Sequence, residues 1–398
     1  MMRTVIGTAC TVVFGLASVV GAAGNAIGSQ ESLMTRSIEK LLAAPTIMAA
    51  DRTLHLAPVT ITAFTHKTGP KDPHEYYSQG DYWWPDPKHP SAPYIKRDGY
   101  TNPDNFTADR GALIGFSIQT ATLTSAYVLT HDVRYANAAI GQLRAWFINR
   151  TTRMNPNLRN AQAVHGRASG RSFGIIDTIH LVEVAQSARI LERDGLLAGA
   201  DRKAVNEWFR RYVTWLTQSR LGREEMEAQN NHGTCWVMQV AEYALLIHDE
   251  TLLTFCRRRF KRVLLPEQMA SDGGFPRELA RTKPYGYSLF NLDAMCTICR
   301  ILSTPRDNLW RYRLPDGRGI QRGMDFLFPY MKDKKSWPYR HDVEYWRNWP
   351  VRSASLLFAG IALDKPAYLR FWKDLPPPGR PVEILRNVPI RYPMLWIH

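Results

Sequence analysis

From Arg110 onward, apolar residues recur at helical spacing in one stretch after another, and this succession constrains the fold more than any other feature. The stretches run from Gly111 to Leu129, Val133 to Asn149, Phe173 to Arg193, Arg202 to Ser219 and Gly233 to His248, and the longest loop between them is Arg150 to Ser172. Further stretches follow from Glu250 to Leu264, Ser288 to Leu302, Gly319 to Phe328 ahead of Pro329, and Ser353 to Leu363. Helices in sequence with short loops pack as antiparallel hairpins, and this many of them make a bundle, a solenoid or a helical toroid. No repeat of fixed period is present, which argues against the common helical repeats. The expectation is an all-α chain: an (α/α) toroid or incomplete barrel of antiparallel hairpins, in two helix layers around a central cleft.

Ahead of this region lies a short helical start from Leu33 to Ala44, then an arm from Asp51 to Asp109 that is dense in Pro, Gly, Asp and aromatics. The arm reads as irregular, with one strand near Leu54 to Thr62, and is expected to lie over the cleft. With 398 residues, 45% of them hydrophobic, the chain can bury a sizeable core. Residues 27–398 read as one catalytic domain.

The 51 Lys plus Arg outnumber the 36 Asp plus Glu, a net charge of +15 that favours polyanionic partners. Met1-Met2-Arg3, the apolar run Thr4 to Val20 and the small residues from Gly21 to Ala26 read as a secretory leader over residues 1–26. Export to the periplasm or beyond makes an acidic glycan the expected polyanion, with no nucleic acid and no stable membrane insertion. No later stretch reads as long and apolar enough to span a bilayer. Cys235, Cys256, Cys296 and Cys299 are too few and scattered for a disulfide scaffold. Cys296 and Cys299 fall among Leu289, Leu292, Met295 and Leu302 at helical spacing, without a second ligand pair, and read as buried thiols. No metal and no cofactor are expected.

Four segments carry unusual chemistry. In Glu75 to Pro87, Tyr76, Tyr77, Tyr82, Trp83 and Trp84 crowd a Pro-rich loop, and such rings either stack on sugar faces or bury against helices. Asn230, Asn231 and His232 stand directly before a helix, where one Asn suits a cap and the rest could bind a carboxylate at the positive helix end. Asp272 to Tyr287 is a loop rich in Gly, cations and phenols, in which Arg281 and Lys283 would lower the pKa of Tyr287 if close to it. Ser336 to Arg352 interleaves aromatics with cations, which suits a chain of sugars that each carry an acid, and equally suits a loop packed on the helices.

Together these segments resemble the alginate lyase superfamily of helical-toroid lyases, most closely polysaccharide lyase family 38 and more distantly family 5, over most of the chain from Tyr76 to Arg352. The resemblance rests on Gly80-Asp81-Tyr82-Trp83-Trp84-Pro85-Asp86-Pro87, Asn230-Asn231-His232, Arg281 to Tyr287 and Tyr345 to Arg352. It implies Asn231, His232, Arg281 and Tyr287 as the catalytic set. Tyr285 competes with Tyr287 because the family 5 pattern has one more residue between its Arg and Tyr. It also implies substrate contacts from Tyr82, Trp83, Trp84, Arg167, Arg171, Asn230, Lys283, Tyr285, Tyr345, Trp346 and Arg352.

Those residue types support β-elimination on a polyuronate. Asn231 and Arg281, with protonated His232, would stabilise charge on the carboxylate, and Tyr287 would take the C5 proton and return one to O4, with His232 as second group if the two atoms lie on opposite faces. Mannuronate-rich alginate is the expected substrate, with glucuronan as the alternative since the two sugars differ only at C2. Two other classes stay open: a glycoside hydrolase using Asp272 and Glu278, and a non-catalytic polyanion binder.

Overall fold

The computed structural model describes residues 17–397, with side chains from residue 35. The chain divides into two units, Met1–Leu42 and Ala43–His398. The leader expected over 1–26 lies outside the described residues up to position 16, as do its side chains. Helix α1 (Ala17–Thr53) is longer than the predicted Leu33 to Ala44.

In the second unit, five helices are mutual neighbours in chain order. They are α2 (Ala108–Thr130), α4 (Leu181–Arg193), α7 (Asn231–Leu246), α11 (Pro284–Leu302) and α13 (Ala354–Ala362). Partners lie outside them: α3 (Val133–Leu143) on α2, α5 (Gly199–Gln218) and α8 (Glu250–Arg259) on α7, α12 (Ile320–Lys332) on α11, and α14 (Pro366–Asp374) on α13. Short helices α6 (Arg220–Met226), α9 (Leu265–Gln268), α10 (Pro276–Leu279), α15 (Val382–Asn387) and α16 (Met394–Ile397) fill the joints. Burial follows this division. Helices α7 and α11 are buried almost all round, as an inner layer requires, whereas α5 and α12 bury one face, such as Ile320, Met324, Leu327 and Met331 of α12. The two-layer all-α toroid expected from the periodicity is the fold observed.

Departures from the predicted elements have local causes. The expected strand at Leu54 to Thr62 is absent: Pro58 lacks a donor, Leu56 and Val59 face solvent, no strand pairs there among the described residues, and only a 3-10 turn forms at Ile61–Ala63. Residues Arg144–Ile148 and Phe260–Leu264 widen into π-helical turns after α3 and α8, so those helices end early. The stretch beginning at Phe173 is first a 3-10 segment, Ser172–Thr178. Helix α12 does not stop before Pro329 but runs to Lys332, because its buried apolar face outweighs the single backbone bond that a proline removes. One later helix does meet the length and composition for crossing a membrane, contrary to the sequence reading. This is α2, with a mean hydropathy of 1.3, and 67% of that window is buried within the inner layer.

The arm holds β1 (Tyr77–Gln79), parallel to β4 (Asn160–Ala163), and a hairpin of β2 (Trp83–Trp84) with β3 (Ile95–Lys96). The C-terminal segment returns to α2 and α4, where the fully buried Glu183 accepts the backbone N–H groups of Arg391 and Tyr392 at 2.9 and 2.8 Å. Burial pushes the Glu183 carboxyl up to about 7 despite these bonds. Its folded pKa exceeds the unfolded value of about 4.3, so the folded state holds the extra proton between them and stability falls as pH rises through that window. Glu183→Gln keeps an accepting oxygen and is expected to flatten this fall. Urea unfolding at pH 5 and pH 8 checks it, and an unchanged difference between the two pH values would refute the assignment.

Candidate active site

The N-termini of four inner helices converge on one cleft of about 330 Å³, lined by arm residues Asp81, Tyr82, Trp83 and Lys96 and by residues at the starts of α2, α4, α7 and α11. Helix N-termini carry partial positive charge, so this end of the toroid favours an anionic ligand.

At the start of α7, Asn230 is the cap, its side chain accepting from the His232 N–H at 3.3 Å, a bond typically worth about 1 kcal/mol. Asn231 is held from below: its backbone N–H and its Nδ2 donate to the two oxygens of Glu278 at 2.7 and 2.8 Å. One amide hydrogen of Asn231 therefore stays available to the cleft. His232 Nδ1 lies 2.6 Å from Oε1 of the buried Glu225, with the Phe173 ring 4.6 Å from its own. Burial raises the Glu225 carboxyl, and His232 opposes that rise. With Nδ1 so engaged, Nε2 has no protein partner among the described residues.

At the start of α11, Asp342 accepts the N–H groups of Tyr285 and Gly286 at 2.9 and 2.8 Å and so caps the helix that carries Tyr287. A Cβ on Gly286 would lie 2.8 Å from Asp342 Oδ2 and 2.9 Å from Trp349, so glycine is what lets the cap approach. The Tyr287 hydroxyl lies 2.7 Å from that of Tyr82, and the Arg281 guanidinium sits 4.6 Å over the Tyr287 ring. Arg281 is itself gripped by Asp98 of the arm at 3.0 and 2.7 Å. Burial raises the Asp98 carboxyl, but Arg281 overcomes this and holds it well below the usual carboxylate range.

The Tyr287 phenol does not have the lowered pKa expected for it. Burial pushes it well above its ordinary value, Tyr82 and Glu383 add to the rise, and Arg281 offsets only part. The other expected cation, Lys283, is fully buried and paired to Glu383 at 3.0 Å and Glu344 at 3.6 Å.

The sequence matches the alginate lyase family over residues 60–337. The chain belongs to the alginate lyase family. This family member is similar to an alginate lyase from Bacteroides ovatus, with 30% identity over 94% of this chain and 97% of that one and a TM-score of 0.78. It also shares its fold with alginate lyase A1-III from Sphingomonas species A1, at 17% identity over 82% of this chain and 89% of that one, TM-score 0.51. A histidine-to-alanine variant of alginate lyase A1-III, complexed with a tetrasaccharide, matches at 18% identity over 77% of this chain and 80% of that one, TM-score 0.50. No curated protein sequence matches.

In this alginate lyase family member, eight of the residues singled out from sequence line the one cleft: Tyr82, Trp83, Arg171, Asn230, Asn231, His232, Arg281 and Tyr287. Arg171 lies between Trp83 and Phe173, 5.5 Å over each ring, and among the described residues its guanidinium hydrogen-bonds only to Gln162, at 2.9 and 3.0 Å. Its seat is made by Gly80, where a Cβ would lie 2.7 Å from the guanidinium and 2.8 Å from Trp83.

The remaining expected contacts lie elsewhere. Tyr285 is fully buried, with its hydroxyl donating to the Tyr330 carbonyl at 3.2 Å, and Lys283 is spent in its ion pairs, so neither lines the cleft. Trp84 donates to the Tyr100 carbonyl at 3.0 Å beneath Arg97. Arg167 does not line the cleft but donates to the Tyr94 carbonyl at 2.6 Å and lies 5.5 Å over the ring of Trp83, which does. Tyr345 covers Lys283, Trp346 stacks on His341 at 4.1 Å, and Arg352 donates to the Lys373 carbonyl at 2.9 Å. Of the arm's crowded rings, Tyr76 and Tyr77 are core. The segment from Ser336 to Arg352 thus mainly caps and braces α11 instead of lining the cleft.

Tyr285→Phe is expected to leave turnover within about twofold and to cost about 1 kcal/mol for the lost hydrogen bond. Steady-state rates and thermal unfolding check this, and a loss matching that of Tyr287→Phe would exchange the two phenols.

Sequence reading missed Arg386 and Asn387, which reach the cleft from α15, and the buried carboxylate Glu225 behind it; Glu278, named there as a hydrolase acid, instead holds Asn231. Arg386 carried no local signal, standing in a short Pro-flanked segment. Glu225 lies at the end of α6 and His232 at the start of α7, so their contact is set by how the two helices meet and left no periodic signal.

Proposed function

We propose that this polysaccharide lyase depolymerises alginate, with mannuronate-rich chains as its substrate, by β-elimination. The observation that carries the reading is the convergence of Asn231, His232, Arg281 and Tyr287 on a single cleft at the positive ends of the inner helices.

A uronate seated there would place its carboxylate on the free amide hydrogen of Asn231 and on Arg281, which stabilise the charge that develops as the C5 proton leaves. That proton is alpha to the carboxylate and the C4 glycosidic oxygen is beta to it. Loss of the proton and departure of O4 therefore form the C4–C5 double bond. Tyr287 takes the C5 proton and returns one to O4. Its phenol is protonated in the free protein, so the base form is reached by loss of that proton to solvent; the phenolate then takes the C5 proton, and the phenol so formed gives a proton to O4, which leaves the phenolate for the next cycle. His232, with Nε2 open, is the second proton-transfer group on the same cleft. Trp83 and Arg171 suit the ring face and the acid of a neighbouring sugar.

The hydrolase alternative loses its acid pair. Asp272 is exposed and binds the Gly274 N–H at 2.8 Å, and Glu278 is spent on Asn231. Export, inferred from the leader at residues 1–26, would bring the protein to its polymer in the periplasm or beyond.

Ultraviolet absorbance of the unsaturated uronate end, followed on polymannuronate, polyguluronate and glucuronan, tests the reading. A rise on polymannuronate is expected. A rise on glucuronan alone would rename the substrate, and no rise on any polymer would overturn the elimination.

A further inference from the structure

Helix α15, outside the segment that matches the family, brings a guanidinium to the back of the cleft. Arg386 is 9% exposed, donates from Nη2 to the Tyr82 hydroxyl oxygen at 2.9 Å and lies 5.2 Å over the Tyr82 ring. It is fixed by ion pairs to Glu383 and, at 3.2 Å, to Asp81. A guanidinium only donates, so it occupies a lone pair of the Tyr82 oxygen and the Tyr82 hydrogen must point elsewhere. Among the described residues the other hydrogen-bond partner of that hydroxyl is Tyr287, at 2.7 Å. A second lone pair of the Tyr82 oxygen stays open, so either phenol can donate in this bond; the arrangement in which Tyr82 donates runs from Arg386 to Tyr82 to Tyr287 and leaves the Tyr287 hydrogen for the cleft.

We propose that Arg386 is a positioning residue for the elimination, aiming the Tyr82 hydroxyl at Tyr287 and supplying the countercharge when the two phenols together are one proton short. The inference rests on the reading of Tyr287 as the acid and base. The pair, one proton short, takes the C5 proton on Tyr287, and when Tyr287 then gives a proton to O4 the negative charge left on its oxygen accepts the Tyr82 hydrogen bond, with the remaining proton on either oxygen. The pair is then one proton short again. The charged groups facing it are Arg386, Arg281 over the Tyr287 ring and Lys283 at 5.4 Å over the Tyr82 ring. Each is paired to a carboxylate: Asp81 and Glu383 to Arg386, Glu383 also to Lys283, and Asp98 to Arg281.

The test is a double-mutant cycle of Arg386→Gln and Tyr82→Phe, read in elimination kinetics on polymannuronate. In the parent background Arg386→Gln is expected to lower kcat about tenfold or more, with KM changed less than about threefold. The rise of kcat with pH should move about one unit to higher pH, since a phenol without its countercharge ionises less readily. In the Tyr82→Phe background the same change should cost less than about threefold, because the bond it acts through is gone. Arg386→Lys, which keeps the charge without the fork, should recover part of the rate, and it carries the cycle if the Gln variant unfolds. Equal losses in both backgrounds, or an effect confined to KM with an unmoved pH profile, would overturn the proposal while leaving the lyase reading intact. Absence of turnover by the parent protein on every polymer would overturn that reading and this one with it.

Discussion

Replacing Tyr287 by phenylalanine is expected to lower kcat on polymannuronate by about a thousandfold while KM stays within about threefold. A positioned acid or base typically contributes a factor of about a hundred to ten thousand, and Tyr287 is assigned both proton transfers of the reaction. The ring is 6% exposed and packs beneath Arg281, so phenylalanine keeps the packing and removes only the hydroxyl that meets Tyr82. Thermal unfolding should shift little. The measurement is the initial rate of unsaturated-product absorbance for parent and variant at matched folded fraction. A variant within tenfold of the parent would take the proton transfer away from Tyr287 and give it to His232, the other group on the cleft with an open proton-accepting atom.

Replacing Asn231 by alanine should lower kcat/KM by about a hundredfold or more, the usual loss when one preorganised donor to a developing anion is removed. This variant also touches stability. Glu278 is buried and uses both oxygens on Asn231, one on its backbone and one on its amide, so alanine leaves Oε2 of Glu278 without that partner at a cost of about 1–3 kcal/mol. Burial already raises the Glu278 carboxyl, with the bonds from Asn231 opposing, so the variant should raise it further. Kinetics and chemical unfolding on the same preparation separate the two effects. A stability loss with full activity would make Asn231 a structural residue alone.

The aromatic-rich segments show where local reading stops. Tyr76, Tyr77, Tyr82, Trp83 and Trp84 are alike in composition, yet the first two are core, the next two line the cleft and the last faces away. A Pro-rich loop without period offers no rule for which ring points where, since its path is set by the helices it crosses. Tyr285 and Tyr287 differ likewise: two positions on a helix lie about 200° apart, so one phenol enters the core as the other enters the cleft. The cation next to them went astray for the same reason. Lys283 precedes the helix turn, faces Glu383 from α15, and never reaches the phenol it was expected to activate.

The amino-acid sequence by itself determined the all-α class, the order of most helices and the helix start at Asn230 to His232, whereas the helix expected from Ser288 begins at Pro284, where the distant Asp342 caps it. Periodicity and the Asn230 cap act within a few residues, and Asn230 to His232 are contiguous. Tertiary structure alone decided which of these groups share a cleft, that burial outweighs Arg281 in setting the Tyr287 phenol, and that Arg386 from the far end of the chain stands behind Tyr82. Those outcomes depend on desolvation and on contacts between residues 47 to 304 positions apart. Both are properties of the packed solid and not of any local run of residues.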